Sequence, residues 1–144
     1  MIIRSFDWQD LSACLPLMAD LGYQTDEETL ARRWESFLQS PDYHLWAMAE
    51  EGQVIGLVGF HQMYFFEADG TYIRILALVV SSAHRRKGLA SKLLDAVRDY
   101  AISHNCKALA LNSGLSAERS EAHHFYQVYG FSKKSAGFTH PLDH

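Results

Sequence analysis

Cysteine is scarce in this chain. Of its 144 residues only Cys14 and Cys106 carry a thiol, and neither has a C-x-x-C partner. Two buried free thiols fit that pattern better than a disulfide or a metal site. A basic excess is lacking as well: 13 Lys and Arg against 17 Asp and Glu leave a net charge of −4, so no overall positive field points to nucleic acid. No apolar run approaches the roughly 20 residues needed to span a bilayer. The opening MIIRSFDWQD is not a basic leader followed by an apolar block. The expectation is a cytoplasmic protein with neither a nucleic-acid nor a membrane partner. Eight histidines raise the question of a metal. No H-x-x-x-H pair occurs, however, and the adjacent His123 and His124 splay apart on a helix, so no metal ligand is assigned. Repeats, linkers and low-complexity tracts are missing too. With 48% apolar residues the chain can build one core, and a single domain over 1–144 is expected.

What is present is an orderly succession of strand and helix patterns. Ile2-Ile3-Arg4 suits a short strand. Asp7, with Asp10 three residues on, caps a helix striped by Leu11, Leu15, Met18 and Leu21 and ended by Gly22. Thr25-x-x-Glu28 reads as a capping box for a second helix carrying Leu30, Trp34, Phe37 and Leu38. Strands follow over Tyr43–Met48, Val54–Phe66 and Thr71–Val80, turned at Glu50-Glu51-Gly52 and Asp69-Gly70. A helix over Leu89–His104, a strand over Ala108–Leu111 and a short helix around Ala122–Tyr129 come next. Gly130-Phe131 and the tail are expected to supply the last strands. Hairpins come first and βαβ crossovers later, which predicts an α+β fold on a mixed, mostly antiparallel sheet.

The most informative segment is His84-Arg85-Arg86-Lys87-Gly88-Leu89-Ala90. It joins an apolar strand to an amphipathic helix marked by Leu89, Leu93, Leu94, Val97 and Ala101. A helix start presents unpaired N–H groups and about half a positive elementary charge, a ready anion site. Gly88 and Ala90 keep the loop bare enough for a phosphate to reach the backbone. Read alone, the segment is either such a site or a solvated basic helix start. Neither G-x-x-x-x-G-K-[ST] nor G-x-G-x-x-G is present.

Arg85-x-x-Gly88-x-Ala90 resembles the [RQ]-x-x-G-x-[GA] pyrophosphate loop of the GNAT N-acetyltransferases. Ala122-His123-His124-Phe125-Tyr126-Gln127-Val128-Tyr129-Gly130-Phe131 is similar to the A-x-x-F-Y-x-x-x-G-F block near the C-terminus of the same family, and Arg119 also fits. The likeness extends from Ile3 to about Phe138. It implies a GNAT fold with a splay between strands four and five, and acetyl-CoA as cosubstrate. It implies that Arg85, Arg86, Lys87, Gly88, Leu89 and Ala90 hold the pyrophosphate, with Leu78, Val79 and Val80 giving backbone contacts to the pantetheine arm. Asn112 either reaches that arm or simply ends its strand. Tyr126 takes the place of the tyrosine that protonates the departing thiolate, a role open to a phenol near pKa 10 only beside the sulfur.

The same likeness implies direct attack by a neutral amine on the thioester, with backbone amides near Val80 polarising the carbonyl. An acyl-cysteine is not expected, because neither thiol has a neighbouring base. The stretches Tyr43-His44-Leu45 and Gly52 to His61 resemble the aminoalkylphosphonate N-acetyltransferase branch. The chain departs from that branch at Arg74 and Ala77, where glutamates are expected. Arg74 either holds an anionic group of the substrate or is an ordinary strand arginine. Tyr43, His61 and Arg74 are the candidate acceptor contacts, and His61, Glu67 and Asp69 the candidate bases. The expected partner is a small-molecule amine, with a protein amine, or CoA binding without turnover, as alternatives. A homodimer through the C-terminal strands stays open.

Overall fold

The computed structural model describes residues 1–85, 88–112 and 120–142. The backbone divides into two units, Met1–Ala110 and Leu111–His144. The first holds β1 (Ile2–Ser5), a 3₁₀ turn (Trp8–Asp10), α1 (Leu11–Asp20), α2 (Glu27–Phe37), β2 (Tyr43–Glu50), β3 (Gln53–Tyr64), β4 (Thr71–Val80), a second 3₁₀ turn (Ser82–His84) and α3 (Leu89–Ser103). β5 (Leu109–Leu111) follows, and the strands lie side by side in chain order from β1 to β5. The first three pairings are antiparallel. The α3 crossover makes β5 parallel to β4, and the pairing begins where Lys107 N donates to Thr71 O and Ile73 N to Ala108 O. The expected mixed sheet is therefore found. β5 has three residues and β4 ten, so the C-terminal part of β4 runs on past its neighbour.

Asp7 caps the start of α1 through the intervening 3₁₀ turn. Its Oδ1 accepts from Gln9 N at 2.9 Å, while its own N–H donates to Asp10 Oδ2 at 2.9 Å. Asp10 is then gripped by the Arg4 guanidinium, at 2.7 and 2.9 Å to its two oxygens. That fork holds the Asp10 carboxyl below the ordinary carboxylate range. The second helix begins one residue later than its expected box. Asp26, not Thr25, is the N-cap, and its Oδ1 accepts from Thr29 N at 2.8 Å. A carboxylate at a helix start gains from the dipole as well as the hydrogen bond, which a hydroxyl does not.

Register assigns the two faces of the sheet. His44, Phe60 and Ile75 form one cross-strand row, and Trp46, Val58 and Leu78 another. Tyr100 of α3 packs on His44, Trp46 and Phe60, so these rows face α3. Leu45, Ala47, Leu57 and Val79 join Leu11, Cys14, Leu17 and Leu30 in the core beneath α1 and α2. One irregularity matters below. Gly59 pairs with Ala77 and Phe60 with Ile75, which leaves Leu76 as an extra residue, a β-bulge. Leu76 is exposed.

In the second unit α4 (Ser120–Tyr129) closes where Gly130 N and Phe131 N both donate to Tyr126 O, at 3.1 and 2.9 Å. The tail corrects an expectation: no strand forms among the described residues after Phe131. Residues 132–142 are exposed throughout, and a stretch that includes Ser132, Lys133, Lys134 and Ser135 offers no apolar face for a sheet to bury. The expected C-terminal strands, through which a homodimer stayed open, are thus absent among the described residues.

Candidate active site

The residues expected to hold the donor lie where β4 gives way to α3. Ser81 N donates to Ile55 O at 2.7 Å and Ser82 N to Asp20 Oδ2 at 3.1 Å, so the chain leaves the sheet tied to β3 and to the end of α1. Arg85 is exposed and extended, with φ −67° and ψ 160°. Gly88 is the N-cap of α3 with φ +72°, a conformation that L side chains rarely adopt. A Cβ placed there would meet nothing within 4 Å. The requirement for glycine is thus one of backbone shape together with open space above it. No side chain caps this helix start, so its first-turn N–H groups lack the usual partner. Leu89 is buried and anchors the turn, while Ala90 is half-buried. This geometry fits the phosphate end of a CoA thioester. Arg86 and Lys87 lie outside the described residues, as does Arg119.

The three residues expected to contact the acceptor form a row across three strands. Tyr43 of β2 stands opposite His61 of β3, and His61 opposite Arg74 of β4. Residues opposed in an antiparallel ladder share a face with Cβ atoms about 4.5–5.5 Å apart. The Tyr43 and His61 rings stack at 4.1 Å with 8° between planes, and Phe37 of α2 packs on Tyr43 at 4.8 Å. The row therefore faces the side of α1 and α2. All three residues are half-buried. Glu67 and Asp69, by contrast, are exposed in the turn between β3 and β4 and stand outside the row.

Between these two groups of residues lies the bulge. Leu78, Val79 and Val80 follow it, Val79 and Val80 buried. The bulge is the site feature that sequence reasoning missed. Ile73 to Val80 is apolar at every position but Arg74, so the break in alternation left no mark. Neighbouring His44 turns to the other face, where the Tyr100 hydroxyl lies 3.3 Å from its Nε2. Burial pushes the His44 pKa down and that of Tyr100 up.

Both thiols are free, but only Cys14 is buried as expected. Cys14 is fully buried, and burial pushes its pKa up to about 12. Cys106 is half-buried with its Sγ 3.5 Å from Thr71 Oγ1. No cluster of metal-ligating side chains and no helix long and apolar enough to cross a membrane occurs among the described residues.

In the second unit the Tyr126 ring meets Phe131 edge-on at 5.9 Å and Phe125 at 5.4 Å. Asn112 is exposed, and a Cβ on Gly137 would sit 3.8 Å from its Nδ2. Tyr126 is thus packed locally between α4 and Phe131 just after it.

Residues 8–131 match the acetyltransferase (GNAT) family. An uncharacterized N-acetyltransferase of Bacillus subtilis is 32% identical over 128 residues, 88% of each chain. The aminoalkylphosphonate N-acetyltransferase of Salmonella typhimurium is 25% identical over 129 residues, 90% of this chain and 80% of its own length. Among solved structures, a GNAT family acetyltransferase of Staphylococcus aureus superposes with a TM-score of 0.85, at 35% identity and 98% coverage of both chains.

Proposed function

This chain belongs to the GNAT acetyltransferase family, an acyltransferase family that uses acetyl-CoA, and on that premise we propose that it acetylates the primary amine of a small molecule by direct attack. The observation that carries this reading is the single strand β4. Its middle holds Arg74 in the Tyr43–His61–Arg74 row, and its end leads into the Gly88 turn. One strand thereby serves both an acceptor and a donor.

Under this reading the whole of 1–144 acts as one catalytic domain. Arg85 to Ala90 hold the pyrophosphate, through the open backbone at Gly88 and the uncapped start of α3. The backbone of Leu78, Val79 and Val80 pairs with the pantetheine amides, in the stretch where β4 outruns β5. Amides near Val80 and the bulge polarise the thioester carbonyl, where charge develops in the transition state. Asn112 contacts the pantetheine arm. Tyr126 gives its proton to the departing sulfur, a role that rests on its place in the F-Y-x-x-x-G-F block. Direct attack is favoured because Cys14 stays a protonated, buried thiol. The name of the Salmonella relative, an enzyme for a small amine, supports a metabolite acceptor over a protein one.

The test is an acetylation screen over aminoalkylphosphonates, polyamines, amino acids, aminoglycosides and amino-terminal peptides, read by release of the CoA thiol. Turnover confined to small amines is the expected result. Turnover of peptides alone, or CoA binding with no turnover of any amine, overturns the reading.

A further inference from the structure

The geometry points to a division of labour inside the row: Arg74 holds an acid group of the acceptor, and His61 removes the proton from its ammonium. This rests on the reading of the row as the acceptor site and narrows the acceptor to a primary amine with an acid group only a few bonds away.

Three observations support it. First, the two residues are direct cross-strand neighbours on one face. Their functional groups can therefore reach the two ends of one short molecule. Second, no acidic side chain in the described structure is paired with Arg74. The one ion pair found among the described residues joins Arg4 and Asp10. A half-buried guanidinium gains most from an oxyanion that it can bind through two parallel hydrogen bonds. Third, His61 is held. Its ring lies flat on Tyr43, which Phe37 backs from α2, so its ring nitrogens point along a fixed plane and no rotamer freedom is lost on binding.

Charge makes the pairing specific. The groups bordering His61 in the row are Tyr43 and Arg74. A purely cationic acceptor meets repulsion at Arg74. A zwitterionic one brings its own anion to cancel that charge.

The steps balance. A ring nitrogen of His61 takes one proton from R–NH3⁺. The freed lone pair forms the N–C bond to the acetyl carbon, and the C–S bond breaks with its pair going to sulfur. Of the two protons left on nitrogen, one stays as the amide N–H, and loss of the other balances the proton gained by sulfur, giving the N-acetyl product and the free thiol. His61 then releases its proton to water.

The experiment uses the full chain with matched acceptors: 2-aminoethylphosphonate and β-alanine against ethylamine and ethanolamine. Arg74→Gln should raise KM for the two acid-bearing amines roughly 10- to 150-fold and leave or improve the two without an acid. His61→Gln should lower kcat about 10²- to 10⁴-fold near pH 7. That gap should close toward pH 10, where the amines lose their proton unaided; a merely structural role would leave it open. Circular dichroism and calorimetric CoA binding confirm that each variant is folded and loaded. Where the wild type acetylates amines but Arg74→Gln changes all four acceptors alike, or His61→Gln is equally impaired at every pH, the inference is overturned and the acetyltransferase reading stands. A wild type that binds CoA and acetylates none of the four, nor any amine of the wider screen, overturns both.

Discussion

Asp10 and Arg4 meet through two parallel contacts, 2.7 and 2.9 Å, at the point where β1 hands over to the first helix. The same carboxylate accepts the Asp7 N–H. One side chain thus closes a helix start and fastens it to the edge strand. Asp10→Asn should cost about 1–3 kcal/mol of stability, less any loss to solvent screening at the partly exposed Arg4, and denaturant midpoints would measure it. The pH dependence has a definite sign. The folded carboxyl titrates below its unfolded value of 3.8, so its contribution is present above about pH 4 and disappears as pH falls through the lower folded value. Stability of Asp10→Asn should therefore converge on that of the wild type under strong acid. A constant gap down to the lowest pH would sink this account.

Gly88→Ala separates two effects. The substituent meets no atom within 4 Å, but φ is +72°. The folding cost should be the strain of a left-handed residue alone, about 1–2 kcal/mol. CoA affinity by calorimetry should fall further than that if the bare backbone receives the pyrophosphate. A folded Gly88→Ala protein with wild-type CoA affinity would remove the loop from the donor site.

Tyr126→Phe retains the ring that packs on Phe125 and Phe131 and deletes only the hydroxyl. With chemistry rate-limiting, kcat should drop about 10²- to 10⁴-fold while KM for acetyl-CoA holds. An unchanged kcat would return Tyr126 to a packing role.

Cys14 should resist iodoacetamide in the native state, because burial holds it as a thiol with a pKa near 12. Cys14→Ala should keep full turnover and lose on the order of 1 kcal/mol in stability from the small cavity. Loss of turnover in a folded Cys14→Ala protein would revive an acyl-enzyme route.

The sequence made some of this legible and hid the rest for physical reasons. Thr71–Val80 matched β4 at both ends, since Gly70 and the polar turn beyond Val80 punctuate it. Asp7 with Asp10 was readable because a reciprocal cap needs those residue types at that spacing. Tyr43, His61 and Arg74 could be placed on adjacent strands, but their common row depends on hairpin register, which the turns help to set, and the uniformly apolar run after Arg74 gives no alternation from which to read it. The start of α2 slipped by one residue because Thr25 and Asp26 are both good caps, and the charge on Asp26 decided between them. The tail misled because Gly130-Phe131 resembles a strand start, while the lysines and serines after it have nothing to pair with.

The extra residue in β4 has a consequence for how this strand can vary. Before Leu76 the even-numbered Arg74 looks toward α1 and α2; after it the odd-numbered Ala77 and Val79 do. β4 is thus written in two frames joined at a single point. Under the proposed function, a change of acceptor preference can be coded in the first frame, at 72 and 74, without disturbing the second, at 77 and 79. Deleting Leu76 would merge the frames and turn Arg74 toward α3 whenever the donor half kept its register. Variants of this enzyme should therefore tolerate exchange of whole segments on either side of Leu76 far better than loss of that one side chain's position.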